Sequence, residues 1–103
     1  MQLNEMNFDA FVNQTGKTVL VDFWAPWCGP CKLLGPVLDK LAASRTDLAL
    51  GKVNTDEQTP LAIRFGLEAI PTLLFFRDGK LVRKEVGYHT ESELNAVLDA
   101  IQS

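Results

Sequence analysis

At 103 residues the chain is long enough to bury most of its apolar surface as one domain spanning 1–103, without a covalent staple. Its 47% hydrophobic and 22% charged residues and net charge of -3 are those of an ordinary soluble globular domain, without the basic excess of a nucleic-acid binder. No stretch is long enough to cross a bilayer and no secretion signal opens the first twenty residues, so the expected location is cytoplasmic, where paired cysteines are more often catalytic, redox-sensing or metal-binding than structural.

The predicted elements run in chain order without an internal repeat, low-complexity segment or linker. Asn7 is placed to cap a short helix whose apolar residues Phe8, Phe11 and Val12 fall at helical spacing. After Gly16 comes the β-branched and aromatic run 18–24, expected to be a central strand covered on both faces. From 28 to 45, Leu33, Leu34, Val37, Leu38 and Leu41 follow a helical period, and Pro36 predicts a kink in one long helix. A strand is expected over 48–54. Thr59 followed by Pro60 predicts a capped short helix that Gly66 closes. A third strand covers 72–76, and the Asp78-Gly79 turn joins it to an alternating strand over 80–86. Thr90 and Glu93 have capping-box spacing ahead of the stripe Leu94, Val97, Leu98 and Ile101. The order α-β-α-β-α-β-β-α implies a mixed sheet between helices.

Both cysteines and both tryptophans lie in Trp24-Ala25-Pro26-Trp27-Cys28-Gly29-Pro30-Cys31-Lys32. Cysteines three apart at a helix start share a face, with β-carbons roughly 5 to 6 Å apart against the ~3.5 to 4.5 Å a relaxed disulfide prefers, so they can bond with some strain. Gly29 lets the first turn tighten, and Pro30 fits where its missing N–H is not needed. Three readings compete. As a staple, so short a loop restricts the unfolded chain by only about 2 kcal/mol. As a zinc site, the pair supplies half a tetrahedral shell, and one distant histidine, His89, is the only further nitrogen or sulfur ligand. As a redox couple, the first sulfur stands where unpaired helix N–H groups favour an anion, which makes Cys28 the expected nucleophile. Lowering a thiol by about 1.5 pKa units half-ionises it at neutral pH and takes about 2 kcal/mol. Cys31, one turn on, is expected to be more buried and less acidic.

Asp22 is odd within an apolar strand, because a buried carboxylate is costly unless paired or protonated and such groups acquire raised pKa values; the alternative is a strand-end carboxylate reaching water. Lys52 is a candidate partner, or simply an exposed lysine. Trp24 ends the buried strand and is the better core tryptophan, while Trp27 is either core or surface. His89 beside Tyr88 reads as solvent-exposed, with a role in substrate choice as the alternative.

The segment from Val21 to Lys32 resembles the active-site segment of the thioredoxin family, and Pro36, Lys52, Ile70-Pro71-Thr72, Gly79 and Gly87 stand where the family pattern has them. The similarity covers nearly the full chain. It implies an α/β thioredoxin fold with a central mixed β-sheet flanked by helices on both faces. It also implies a general protein disulfide reductase in which Cys28 attacks, Cys31 resolves and Asp22 takes the Cys31 proton. Trp24 and Lys52 support the site. Family likeness, against base rates, makes the Ile70-Pro71 bond cis. Trp27, Gly29, Pro30, Ile70, Pro71 and Gly87 form the expected client-binding surface, with Val86 and Tyr88 at its edge, and the Ile70 backbone pairs with an extended client segment. The implied partners are disulfide-containing client proteins and a thioredoxin reductase, commonly flavin-containing and fed by NADPH, with no nucleic acid and no membrane. The chain is expected to be a monomer, to bind no metal and to need no cofactor beyond its redox-active Cys28–Cys31 disulfide. Pro26, Gly35 and Glu68-Ala69 depart from the commonest pattern without removing a catalytic group. An oxidase or isomerase on the same scaffold, and a binding module that needs no thiol turnover, are the rival readings.

Overall fold

The apolar run predicted as central becomes the middle of the sheet. In a computed structural model, which describes residues 1–102, the elements are α1 (Phe8–Val12), β1 (Thr18–Trp24), α2 (Gly29–Ser44), β2 (Leu48–Asn54), α3 (Thr59–Arg64), β3 (Thr72–Arg77), β4 (Lys80–Val86) and α4 (Glu91–Gln102). The strand order is β2-β1-β3-β4, with β1 parallel to β2 and the other pairs antiparallel. Residues 1–3 extend the sheet beyond β2: Gln2 bridges to Lys52, Leu3 donates to the Lys52 carbonyl and Lys52 donates to that of Met1.

Successive strand side chains point to opposite faces, so β1 feeds two cores. Val19, Val21 and Phe23 join Phe8 and Val12 of α1 and Leu61 of α3. Leu20 joins Leu34, Leu38 and Leu41 of α2 and Leu94, Val97 and Leu98 of α4. β3 divides the same way, Leu74 and Phe76 to the first core and Leu73 and Phe75 to the second. Asp22 follows Leu20 on the same side of β1, which aims it at the face that α2 covers.

Several helix ends differ from expectation. Asn7 does not cap α1; it exchanges bonds with Asn4, whose side-chain oxygen accepts from the N–H groups of Met6 and Asn7 while the Asn7 oxygen accepts from the Asn4 N–H. The capping function has moved three residues earlier, onto the turn that leads into the helix. Thr59 is the first helical residue of α3 rather than its cap, and its hydroxyl donates back to the Thr55 carbonyl. Gly66 closes α3 as predicted: at φ +61 it directs its N–H to Ile63 and that of Leu67 to Ala62, the two bonds of a Schellman motif. The Thr90/Glu93 box forms in both directions, at 3.1 and 2.9 Å. α2 runs unbroken from Gly29 to Ser44 with Pro36 inside it, and Cys28 and Arg45 are extended caps rather than helical residues. Arg45 fastens α2 to α4 through Asp47, Asn95 and Asp99.

Asp78 and Gly79, both at positive φ, make the two-residue turn between β3 and β4. The alternation read in 80–86 does not bury one face, because β4 is an edge strand outside both cores and almost wholly exposed. A bulge interrupts its pairing: Arg83 opposes Phe75 and Leu81 opposes Phe76, leaving Val82 without a partner residue. At Gly51 of β2 an added Cβ would come within 2.5 Å of Leu3 Cδ1 and 2.9 Å of Phe11 Cε2. Gly51→Ala is therefore expected to lower stability by about 1 to 3 kcal/mol in urea denaturation, and unchanged stability would mean that Leu3 and Phe11 repack freely.

Candidate functional site

The site forms where β1 ends and α2 begins. Trp24 closes the strand, the Cys28 N–H bonds the Ala25 carbonyl, and Gly29 and Pro30 supply the first two helical residues. Cys28 is the N-cap of α2. Its Sγ accepts the backbone N–H of Cys31 at 3.2 Å, so a sulfur occupies the position usually held by a capping oxygen. Cys28 and Cys31 are disulfide-bonded, with Cα atoms 5.3 Å apart. The expected contrast in burial is absent: each cysteine is 5% exposed in the bridged form, because both pack with Ala25, Trp24 and Ile70 in one small cluster.

Asp22 lies behind that cluster and is 2% exposed, which removes the reading of a strand-end carboxylate in water. Its Oδ1 has no hydrogen-bond partner among the described residues. Burial is the main cause that lifts the carboxyl from its ordinary 3.8 to about 7; the Lys52 charge opposes the rise and Asp39 adds to it. Lys52 stands opposite Asp22 in the parallel β1–β2 register, yet its ammonium pairs with Asp39 of α2 at 2.9 Å. The expectation of Lys52 as partner is thus half right, since it acts on Asp22 by its field while its ion pair goes elsewhere. Gln2, Asp22, Trp24, Cys31, Lys32, Gly35 and Lys52 line a cavity of about 300 Å³ that adjoins both the carboxyl and the second cysteine of the pair. Trp24 is half-buried between this cavity and the disulfide rather than deep in a core, and its indole N–H has no partner among the described residues.

The outward side is flat and apolar. Trp27 is 69% exposed, which excludes the core reading, and its indole N–H donates to both carboxylate oxygens of Asp56 at 3.2 Å. A shallow groove of about 450 Å³ runs between Trp27 and Ile70. The Ile70-Pro71 bond is cis. Ile70 itself makes no backbone hydrogen bond among the described residues, whereas Pro71 accepts from the Gly87 N–H at 2.9 Å. That bond holds the segment after β4 beside Pro71, with Val86 and Tyr88 both about half exposed. His89 Nδ1 lies 2.9 Å from the Gly87 carbonyl, so the histidine braces this turn instead of hanging free in solvent.

Sequence reasoning passed over Asp39 and Asp56. Asp39 had a usable signal, because Cys31, Gly35 and Asp39 are four apart and share one line along α2. Asp56, two residues beyond β2, had none. Among the described residues there is no group of three or more histidine, cysteine, aspartate or glutamate side chains placed to hold a metal ion, and no helix long and apolar enough to cross a membrane.

The comparisons agree with this geometry. The family model described as Thioredoxin matches residues 1–100. A thioredoxin of Alicyclobacillus acidocaldarius is 41% identical over 104 residues, covering 99% of this chain and 98% of the relative. Thioredoxin 1 of Synechococcus elongatus is 42% identical over 98 residues, covering 94% of this chain and 92% of the relative. Among solved structures, a mutant thioredoxin from Halobacterium salinarum superposes with a TM-score of 0.90 at 35% identity, over 100% of this chain and 90% of that one. With its cysteine pair at the opening of α2 and its similarity running from end to end, the chain belongs to the thioredoxin family.

Proposed function

We propose that this chain, a dithiol–disulfide oxidoreductase by family, acts as a general protein disulfide reductase through Cys28 and Cys31. The single observation that carries the reading is the Cys28 sulfur at the N-cap of a sixteen-residue helix, accepting a backbone N–H. In the reduced protein the same N–H and the helix dipole stabilise a thiolate there. That thiolate attacks one sulfur of a client disulfide, forming a mixed disulfide and releasing the client's other sulfur as a thiolate. Asp22 then takes the proton of the Cys31 thiol, directly or through one water in the adjoining cavity. Cys31 attacks Cys28 Sγ, the second client sulfur leaves, and two electrons have passed to the client while the chain is left bridged. A carboxyl raised to about 7 is close to half-ionised at neutral pH, which suits it to accept that proton and give it back.

Trp27 and Ile70 form the surface for clients, with Gly29, Pro30, Pro71 and Gly87 around the disulfide. The free backbone of Ile70 supports pairing with an extended client segment. The redox group is the chain's own disulfide, and a thioredoxin reductase resets it. On this reading the 103 residues work as one domain, as a monomer in the cytoplasm.

Direction is tested by equilibrating the Cys28–Cys31 couple against glutathione buffers and quantifying the bridged fraction. A reductase is more reducing than glutathione, so the bridge should persist until the buffer is strongly reducing; a couple more oxidising than glutathione would replace this reading with that of an oxidase.

A further inference from the structure

The groups around the buried carboxyl are few. From β2 comes Lys52; from α2 come Cys31, Lys32 and Asp39; the N-terminal segment contributes Gln2, β1 itself Trp24, and β3 only the apolar Leu73. Lys52 is the one cation opposite Asp22 in the strand register, so its ammonium is the natural partner for the unpaired Oδ1. The ammonium is instead held by Asp39, at 2.9 Å, two turns along α2 from Cys31. Gly35 lies between Cys31 and Asp39 on that line, and having no side chain it leaves the cavity open along the helix.

We propose that Asp39 is a positioning residue for the thiol exchange: it clamps Lys52 onto α2, away from Asp22, and so leaves the buried carboxyl free to take and return the Cys31 proton. The clamp rests on the reading of Asp22 as proton acceptor. A direct ion pair with Lys52 would hold Asp22 permanently charged and make it a poor partner for a thiol proton. Asp39 is exposed on its outer side, so the clamp is formed at the rim, where one substitution releases it without opening the core.

Two readouts separate the clamp from the role of Asp22. The first is the titration of the Asp22 carboxyl, followed by carbon NMR in the bridged protein, where no thiol titrates beside it. Asp39→Asn is expected to lower its midpoint by about one unit, because the freed ammonium turns toward Oδ1. Asp39→Glu should restore the midpoint to that of the unaltered chain. In a Lys52→Met background, Asp39→Asn should move it little. An unmoved midpoint in Asp39→Asn overturns the proposal, and so does a shift that persists undiminished with Lys52→Met, since Asp39 would then act by its own field. The second readout is the pH profile of client release from the mixed disulfide, which Asp39→Asn should displace to lower pH by the same amount. A midpoint that moves while the release profile stays fixed would leave the clamp standing and remove Asp22 from the proton transfer.

Discussion

Cys28→Ser is expected to abolish disulfide exchange, by on the order of 10⁴-fold or more, while Cys31→Ser attacks once and then stays joined to its client. The asymmetry follows from the helix opening. A serine hydroxyl at position 28 can still accept the Cys31 N–H and cap α2, so the fold survives, but it is not ionised at neutral pH and attacks no disulfide. With serine at position 31 the Cys28 sulfur keeps its cap position and reacts, and no second sulfur follows. Non-reducing electrophoresis after mixing with a disulfide-containing protein should therefore show a mixed disulfide with Cys31→Ser and none with Cys28→Ser. The reverse pattern would exchange the two assigned roles.

Asp22→Asn is expected to act in two opposite directions. Client release should slow by about 10²-fold at neutral pH, for want of a proton acceptor. Stability of the bridged protein should rise above pH 7. The unfolded carboxyl ionises at 3.8 and the folded one at about 7, so between these values the folded state binds more protons than the unfolded state. Stability is then greatest below the lower value and falls as pH rises through the window, by a ceiling of about 4 kcal/mol. Asparagine does not ionise and escapes this loss. Urea denaturation of the two proteins at pH 4, 6 and 8 should give curves that converge near pH 4 and separate toward pH 8. Curves that run parallel would mean that the carboxyl is charged in the folded state throughout.

What could be read from the residues alone was whatever depends on near neighbours. The Thr90/Glu93 box, the Gly66 closure and the Asp78-Gly79 turn are each set within a few residues, and all three formed as expected. The oddness of Asp22 was also legible, because a charge in the run 18–24 stands out against apolar neighbours on both sides. The misplaced caps show the limit of local rules: Asn7 and Thr59 are good capping residues, but the Asn7 side chain is taken up by Asn4 in the turn before α1, and α3 begins one residue early, so that Gln58 stands at its N-cap position. The equal burial of the two cysteines and the pairing of Lys52 with Asp39 depend on how α2 lies across the sheet. The cis bond before Pro71 was anticipated from family likeness and from nothing in the composition of the segment.

The bulge at Val82 has a bearing on how the molecule behaves in a crowded solution. A sheet with two open margins invites a second copy to dock its own strand there. Here one margin is broken by the unpaired residue and studded with Lys80, Arg83 and Lys84, and the other ends in residues 1–3, which extend the sheet by a single short bridge. Fibre growth thus has no long regular strand to use as a template at either side.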